Sequence, residues 1–365
     1  MHTVADTGPL GSAPAARASA SDPGSANASA DPIGAATARV AVAGATGYTG
    51  QELLRLLSRH PAVTLTSAMS SGQTGASSRR LPGLSRIWNG TIVPLAPETL
   101  AAEADVVFLA LPDSAAAELA PALANAGVRV IDLSGAFRIR DAEVRRRWYP
   151  ETQQLPAGVA YGLTERERGA VARAQLVANP GCYPTATLLA LAPLVEAGLL
   201  LPTADIIVDA KSGVSGAGKT PSERTHFSEC HGSLSAYGVF NHRHGAEIEE
   251  GVGRTVTFTP HLVPLDRGIL STIYVRVAPG TTEEAIGDLF DHAYKGATFV
   301  RLVGSSLPEI KHVAHTNFCD IGWRVDASGR AILVSVIDNL LKGASGQAVQ
   351  NMNVMLGIDE RSGLL

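Results

Sequence analysis

Arg39-Val-Ala-Val-Ala43, Gly44-Ala-Thr-Gly-Tyr-Thr-Gly50 and Gln51-Glu-Leu-Leu-Arg-Leu-Leu-Ser-Arg59 follow one another without a break. The first is a short apolar run of strand type. The last is amphipathic with a helical period and stops at His60-Pro61. Between them Gly44, Gly47 and Gly50 give G-x-x-G-x-x-G. Glycines let a chain turn tightly and lie close to a pyrophosphate, and the start of the following helix offers free N–H groups and a positive dipole end. A tight turn with no ligand would use the same glycines. The strand–turn–helix context predicts a dinucleotide site, with Gly44, Thr46, Gly47, Tyr48, Thr49 and Gly50 at the nucleotide.

Moving outward, Val63-Thr-Leu-Thr-Ser67 reads as a second strand, which runs on into Ala-Met-Ser-Ser71. An NAD enzyme usually carries an acid here for the ribose 2′-hydroxyl. This chain has hydroxyls instead, and Arg79-Arg80 follow. That favours NADP, with Ser70 and Ser71 at the 2′-phosphate; the arginines are either a further grip or a solvated loop pair. Asp105–Leu111 and Val128–Asp132 are two more strands, with an alanine-rich helix over Ser114–Ala126 between them. Strand and helix alternating at this spacing predict a parallel sheet covered by helices. After about Val177 the pattern changes. A strongly apolar helix is predicted over Pro184–Ala197, then strands at Ile206–Asp209, Val256–Thr259, Ile269–Val277 and Ala331–Ile337, and a glycine-punctuated, then helical, stretch from Asn339 to Leu356. The fold class is therefore α/β: an N-terminal Rossmann domain with a parallel sheet, then an α+β domain with a mostly antiparallel sheet.

The stretch Leu176-Val-Ala-Asn-Pro-Gly-Cys-Tyr-Pro-Thr-Ala-Thr-Leu188 carries the chemistry. Asn179 precedes a proline and is pushed toward extended backbone. Gly181 permits a sharp turn, and Pro184 fits the first turn of a helix. Cys182 thus lies at a helix N-terminus, where the dipole favours thiolate; a buried small apolar residue is the bland alternative. Cys230 and Cys319 lack this setting. The base candidates are the histidines of Asn241-His-Arg-His-Gly245, read as a loop, and His261. No carboxylate or cysteine at ligand spacing makes that pair a metal site. Lys211-Ser-Gly-Val-Ser-Gly-Ala-Gly-Lys219 is a second Gly/Ser-rich run suited to a phosphate or carboxylate. Gly213–Thr220 even matches the bare phosphate-loop pattern, but Pro221 directly after it argues against the nucleotide-type helix that pattern needs.

Bulk properties set limits around this. The 365 residues suffice for two domains; 45% are hydrophobic and 18% charged, an ordinary globular composition. A formal net charge of −4 gives no reason to expect nucleic acid or anionic membrane as a partner. The longest apolar run, Thr185–Val195, contains Pro193, stops at Glu196 and is too short for a membrane span. Three scattered cysteines fit a reducing compartment. Residues 1–38 are mostly Ala, Ser, Gly, Pro and Asp, which predicts a disordered tail. It lacks a secretory pattern, and Asp6, Asp22 and Asp31 count against an organellar transit peptide; the expected location is the cytoplasm. A translation start placed too early accounts for it equally well.

Taken together, Gly44–Gly50, Asp132-Leu-Ser-Gly-Ala-Phe-Arg138, Tyr161-Gly-Leu163, Asn179-Pro-Gly-Cys-Tyr-Pro-Thr185, Lys211–Lys219, His242-Arg-His244, Asp338-Asn-Leu-Leu-Lys-Gly343 and Gln347-Ala-Val-Gln-Asn-Met-Asn353 resemble the N-acetyl-gamma-glutamyl-phosphate reductases of arginine biosynthesis. The resemblance runs from Arg39 to about Leu356. It implies a Rossmann domain over 39–181, a catalytic and dimerisation domain over 182–337 related to that of aspartate-semialdehyde and glyceraldehyde-phosphate dehydrogenases, and a C-terminal helix (338–365) returning to the first domain. It further implies NADPH as cofactor, a small acyl phosphate as substrate, a homodimer or homotetramer, Cys182 as nucleophile, His244 ahead of His242 as base, and Asn339 facing the nicotinamide. Two departures stand out: Ala246 replaces a usual proline, and His315 a usual glycine. The residues leave open a relative acting on aminoadipyl or aspartyl phosphate, and a non-catalytic NADP sensor, although a sensor has no need of a helix-start cysteine. A short-chain dehydrogenase is disfavoured, because no Tyr-x-x-x-Lys occurs.

Overall fold

The computed structural model describes residues 38–70 and 80–365. Apart from Ala38 the segment read as a tail lies outside the described residues, as do Ser71 and Arg79. Seven parallel strands form the first sheet: β1 (Ala38–Ala43), β2 (Val63–Ser70), β3 (Val93–Pro94), β4 (Val106–Leu109), β5 (Arg129–Asp132), β6 (Ala160–Tyr161) and β7 (Leu176–Ala178). Their order is β3-β2-β1-β4-β5-β7-β6. Strand order reverses between β1 and β4, and a parallel sheet opens its ligand crevice at the carboxyl ends there. The intervening helices are α1 (Tyr48–Leu57), α2 (Pro97–Glu103), α3 (Asp113–Asn125), α4 (Ala142–Trp148) and α5 (Thr164–Arg173). Val40, Ala41, Val42 and Ala43 are all fully buried, as a strand covered on both faces requires. The helix α1 begins at Tyr48, three residues ahead of the sequence expectation, because Gly47 supplies the extended N-cap and Gly50 is accepted inside the first turn.

The second sheet contains β8 (Ile207–Gly213), β9 (Ser235–Ala236), β10 (Thr257–Val263), β11 (Ile269–Arg276), β12 (Val300–Gly304), β13 (Cys319–Val325) and β14 (Arg330–Ile337) in the order β12-β13-β14-β11-β8-β10-β9. Only β12/β13 and β8/β10 pair in parallel, so the sheet is mostly antiparallel. Helices in this half are α6 (Cys182–Glu196), α7 (Phe227–Cys230), α8 (Arg243–Val252) and α9 (Glu283–Ala293). In β8 the buried side chains alternate, Val208, Ala210 and Ser212, against the half-exposed Asp209 and Lys211. Val208, Ala210, Ile273 and Leu333 of this sheet share one apolar cluster with Leu189 and Leu191 of α6. Because α6 is apolar all round, it is buried on every side, which fixes the position of its first residue, Cys182.

The last helix, α10 (Gly346–Leu356), packs Ala348, Val349 and Met352 into the cluster of the first sheet with Val40, Leu53 and Leu54. Its buried polar side chains are paired through their amide groups, with Gln347 Oε1 left unpaired among the described residues. The Gln347 amide donates to Gly162 O at 2.9 Å, and the Asn351 amide to Gly162 O at 2.8 Å and Asn179 Oδ1 at 3.1 Å. This explains the Gln-Ala-Val-Gln-Asn-Met-Asn pattern: each amide meets backbone or side-chain groups that would otherwise be stranded away from water. The two halves are tied by charge as well. Arg267, between β10 and β11, reaches Glu52 of α1 at 2.5 Å and Asp338 at 3.5 Å. His315 stands at φ +64, a left-handed conformation that glycine adopts without strain, and its N–H donates to Asp338 Oδ2 at 2.7 Å. Histidine here takes a conformation that the glycine expected from the family resemblance would hold without strain.

Candidate active site

At the end of β1, Gly44 and Ala45 both donate their N–H to Met69 O, at 2.8 and 2.9 Å, folding the turn back on β2. A side chain at Gly44 (φ +91) would lie 2.0 Å from Ala110 O, and one at Gly50 2.2 Å from Gly44 O. At Gly47 nothing comes closer than 3.7 Å. Two glycines are therefore demanded by the protein itself, whereas the third has room for a side chain at the head of α1, whose N-terminus has no side-chain cap. Uncapped N–H groups above a bare glycine fit a dinucleotide pyrophosphate. Tyr48 is exposed, the Thr49 carbonyl accepts Ser345 Oγ–H (2.9 Å), and Thr46 Oγ1 lies 3.3 Å from Ser70 Oγ at the end of β2. The chain has no Asp or Glu between Glu52 and Glu98.

A cleft of about 410 Å³ lies beside this turn, lined by Tyr48, Ser215, Lys219, Thr220, Arg267 and Leu340, among others. The Gly/Ser-rich run thus forms the opposite wall. Lys219 Nζ reaches Thr46 O at 3.4 Å. After Lys219 no α-helix begins before the four-residue α7, so the phosphate-loop reading has no structural support among the described residues. Asn339 is buried; its Oδ1 accepts the Gly268 N–H at 2.7 Å and its Nδ2 donates to Ser215 Oγ at 2.9 Å. It holds that wall in place with both ends of its amide.

Cys182 opens α6 after the extended Gly181, as the sequence predicts. Its thiol, however, is not acidified. Burial pushes it up to about 11, with the Arg138 guanidinium and the Tyr183 N–H pulling the other way. The resting sulfur is a thiol that needs a base. The His-Arg-His segment is not a loop: His242 caps α8 by accepting the His244 N–H on Nδ1 at 3.1 Å, and His244 stands in the first helical turn. Ala246 continues that helix. The capping bond uses one nitrogen of His242. The His244 ring is buried against Gly181: a side chain there would meet His244 Nε2 at 2.6 Å and Glu247 Oε2 at 2.9 Å. Among the described residues His244 Nδ1 has no hydrogen-bond partner. Burial, then the neighbouring His242, Arg138 and Arg243, holds His244 well below the usual histidine range, so its imidazole is neutral. His242 is lowered to about 4 by burial and then Arg243.

The residue pattern alone assigns no role to the group beneath these two. Glu247, one helical turn past His244, accepts the Gly181 N–H at 2.9 Å and the Tyr161 O–H at 2.7 Å, and faces Arg138 at 3.5 Å. Arg138 also donates to Asn179 O and Leu133 O, both at 2.8 Å. Arg138 and Tyr161 both sit in motifs that carry the family resemblance, and the i, i+3 spacing of His244 and Glu247 was the available signal for the third. His261 is elsewhere engaged, 3.2 Å from Asp209. Cys319 is buried with its thiol up to about 12, and Cys230 faces Phe227 O at 3.7 Å. Among the described residues no three His, Cys, Asp or Glu side chains are placed to hold a metal, and no helix is long and apolar enough to cross a membrane.

Residues 39–174 match the semialdehyde dehydrogenase NAD binding domain, and residues 182–339 the semialdehyde dehydrogenase dimerisation domain. An N-acetyl-gamma-glutamyl-phosphate reductase of Syntrophobacter fumaroxidans is 48% identical over 89% of this chain and 97% of its own length. One from Geobacillus thermodenitrificans is 47% identical over 89% and 98%. Among solved structures, aspartate semialdehyde dehydrogenase II of Vibrio cholerae superposes with a TM-score of 0.68 at 20% identity, covering 88% of this chain and 99% of that one. The Candida albicans aspartate semialdehyde dehydrogenase with NADP does so with a TM-score of 0.67 at 16% identity, covering 88% and 99%. With two sheets meeting at a glycine turn and a helix-start cysteine, and with this extent of identity, the chain belongs to the N-acetyl-gamma-glutamyl-phosphate reductase family of oxidoreductases.

Proposed function

We propose that this chain reduces N-acetylglutamyl 5-phosphate to N-acetylglutamate 5-semialdehyde with NADPH, through a thioester on Cys182. The observation that carries the reading is Cys182 at the start of α6, with the buried, neutral His244 packed on the residue before it. A neutral imidazole takes the thiol proton as sulfur bonds to the acyl carbon. The carbon–oxygen bond to phosphate then breaks, and phosphate leaves with the electron pair. Glu247 holds the Gly181 N–H and so fixes the turn from which the nucleophile projects. Gly44, Thr46, Gly47, Tyr48, Thr49 and Gly50 would hold the pyrophosphate, Ser70 and Ser71 the 2′-phosphate, and Asn339 the wall at the nicotinamide. Bound there, the dinucleotide supplies the hydride that reduces the thioester carbonyl. His244 keeps the proton from sulfur for the carbonyl oxygen as that oxygen becomes basic. It recovers the proton as the carbon–sulfur bond breaks and the aldehyde is freed, then returns it to the departing sulfur, which restores the resting thiol and neutral imidazole.

Residues 39–181 serve as the NADP domain and 182–337 as the catalytic and dimerisation domain, with 338–365 closing on the first. The enzyme works as a cytoplasmic homodimer or homotetramer. The second sheet supports a homo-oligomer through its face away from α6, where Ile207 and Tyr274 are each 39% exposed. The test runs the reaction backward: phosphate-dependent NADP reduction with N-acetylglutamate semialdehyde against aspartate semialdehyde. The acetylated substrate should give the higher kcat/KM, and NADP should outperform NAD. Preference for aspartate semialdehyde would sink the substrate assignment.

A further inference from the structure

Between β14 and α10 the chain makes one wide turn, Leu341–Ser345, in which Gly343 N–H bonds Asp338 O and Ser345 N–H bonds Leu340 O, both at 2.9 Å and both five residues back. Such i→i−5 turns are rare and recur at functional sites. This one touches both reacting halves. On one side Gly343 lies against the nucleophile: a side chain there would come within 2.8 Å of Cys182 Cβ and 3.2 Å of Ile337 Cδ1. Ala344 O accepts the Asn179 amide at 3.2 Å, in the turn that leads to Cys182. On the other side Ser345 Oγ donates to Thr49 O at 2.9 Å, in the glycine turn. Between them Lys342 is wholly buried. Its ammonium bonds Glu165 Oε1 of α5 at 2.6 Å and Gln350 Oε1 of α10 at 2.8 Å, with both charged side chains essentially inaccessible to water.

A buried lysine–glutamate pair is a weak source of stability, because desolvation offsets most of the attraction; its best-attested use is to fix one arrangement against others. Here the arrangement fixed is that of a turn spanning the nucleophile and the dinucleotide turn. We infer that Leu341–Ser345 is a gauge that sets the distance between Cys182 and the cofactor, with Lys342 and Gly343 as positioning residues. This rests on the thioester reading above. It has a particular kinetic consequence. An acyl group joined to Cys182 moves with the sulfur, so acylation tolerates a displaced nucleophile. The cofactor is held by the other sheet and does not follow, so the reduction step should suffer alone; misplacement by about 1 Å is enough to cost on the order of 10²-fold.

The full-length chain is compared with Gly343→Ala, which drives a methyl group at Cys182, and with Lys342→Met/Glu165→Leu, which removes the pair without leaving an unpaired buried charge. Four quantities are read: phosphate released per site without dinucleotide, Kd for NADPH, kcat, and the deuterium isotope effect on kcat with NADPH labelled at the transferred position. Both variants should release about one phosphate per site and bind NADPH within roughly twofold of the parent. Their kcat should fall roughly 10- to 100-fold, and the isotope effect should rise as reduction becomes limiting. The inference is overturned if kcat and the isotope effect stay within twofold of the parent. It is equally overturned if acylation falls as far as turnover, or if neither variant melts cooperatively, since the turn would then be only structural support. An unmodified chain that releases no phosphate would instead defeat the thioester reading itself.

Discussion

The molecule uses one local device twice, to opposite ends. At Gly44–Gly50 and again at Asn179–Pro184 a buried parallel strand turns through glycine into a helix whose N-terminus has no side-chain cap. At the first junction the helix head is open: Tyr48 is exposed, and Gly47 has room for a side chain. At the second the head is covered. Glu247 accepts the Gly181 N–H, the His244 ring lies over Gly181, and Gly343 closes on Cys182. A helix start is thus not a chemistry by itself. Left open, its N–H groups and dipole suit an anion from solution. Roofed by a ring and a carboxylate, it carries a thiol raised to about 11, with a neutral imidazole over the preceding glycine.

The sharpest way to break this comparison is at the covered junction. Cys182→Ala should abolish both the phosphate burst and turnover, while Kd for NADPH stays within about twofold, because Cys182 lies outside residues 39–174, the part that matches an NAD binding domain. Given acyl phosphate alone, the parent should gain one acyl group, mapped by digestion to Cys182. Cys319→Ala and Cys230→Ala should retain the burst. An adduct on either of those would falsify the assignment of the nucleophile.

Next in size is the base. His244→Asn should lower kcat by roughly 10² to 10⁴, the usual worth of a positioned proton carrier, with NADPH binding intact. His242→Asn replaces the capping nitrogen of α8 with an amide oxygen, itself a good cap, and should leave both stability and turnover nearly unchanged. If His242→Asn does the larger kinetic damage, the ring over Gly181 is not the base.

The sequence made the open junction legible almost completely, because its steric demands are local. Gly44 and Gly50 are required by contacts within the β1–α1 turn and the adjoining strand β4. Cys182 at a helix start was legible for the same reason. The roof was not. Glu247 lies 66 residues from Gly181 and 109 from Arg138, and no propensity or period encodes such a meeting. The histidine segment reads as a loop because its glycine boundary is visible in the sequence and the His242 cap is not. Strands such as β13, with Gly322 and charged Asp320 and Arg324 in seven residues, blur the alternation that identified β11 and β14.

A pair of glycine substitutions sharpens the contrast further. Gly47→Ala meets nothing closer than 3.7 Å and should leave thermal unfolding unchanged, while weakening NADPH by roughly tenfold, about 1.4 kcal/mol. Gly181→Ala pushes into His244 and Glu247 and should destabilise the chain by about 1–3 kcal/mol, the usual cost of overpacking. Equal loss of NADPH affinity in both would mean that the two junctions are not separate sites.

The smallest expected effect is on acid stability. The imidazole of His244 is held well below its ordinary 6.5 by burial and by neighbouring cations. Above pH 6.5 it is neutral in both folded and unfolded chains and contributes nothing to the pH dependence. Below that, the unfolded chain takes up a proton that the folded chain refuses, so stability must fall as pH falls, by at most about 1.4 kcal/mol per pH unit for one group. Asp132 acts with the opposite sign: raised to about 6 by burial, it binds a proton in the folded chain between pH 3.8 and 6, which adds stability as pH falls and offsets part of the histidine loss. Melting temperature measured from pH 7 to pH 5 should therefore drop by a few degrees in the parent. His244→Asn should flatten the slope, with His60 and His242, both also lowered by burial, accounting for what remains. Gly47→Ala should leave the slope as it was, since the open junction buries no ionisable group against its glycine. A parent and His244→Asn with the same slope would show that the ring is protonated in the folded chain, and the covered junction would then lack its neutral base.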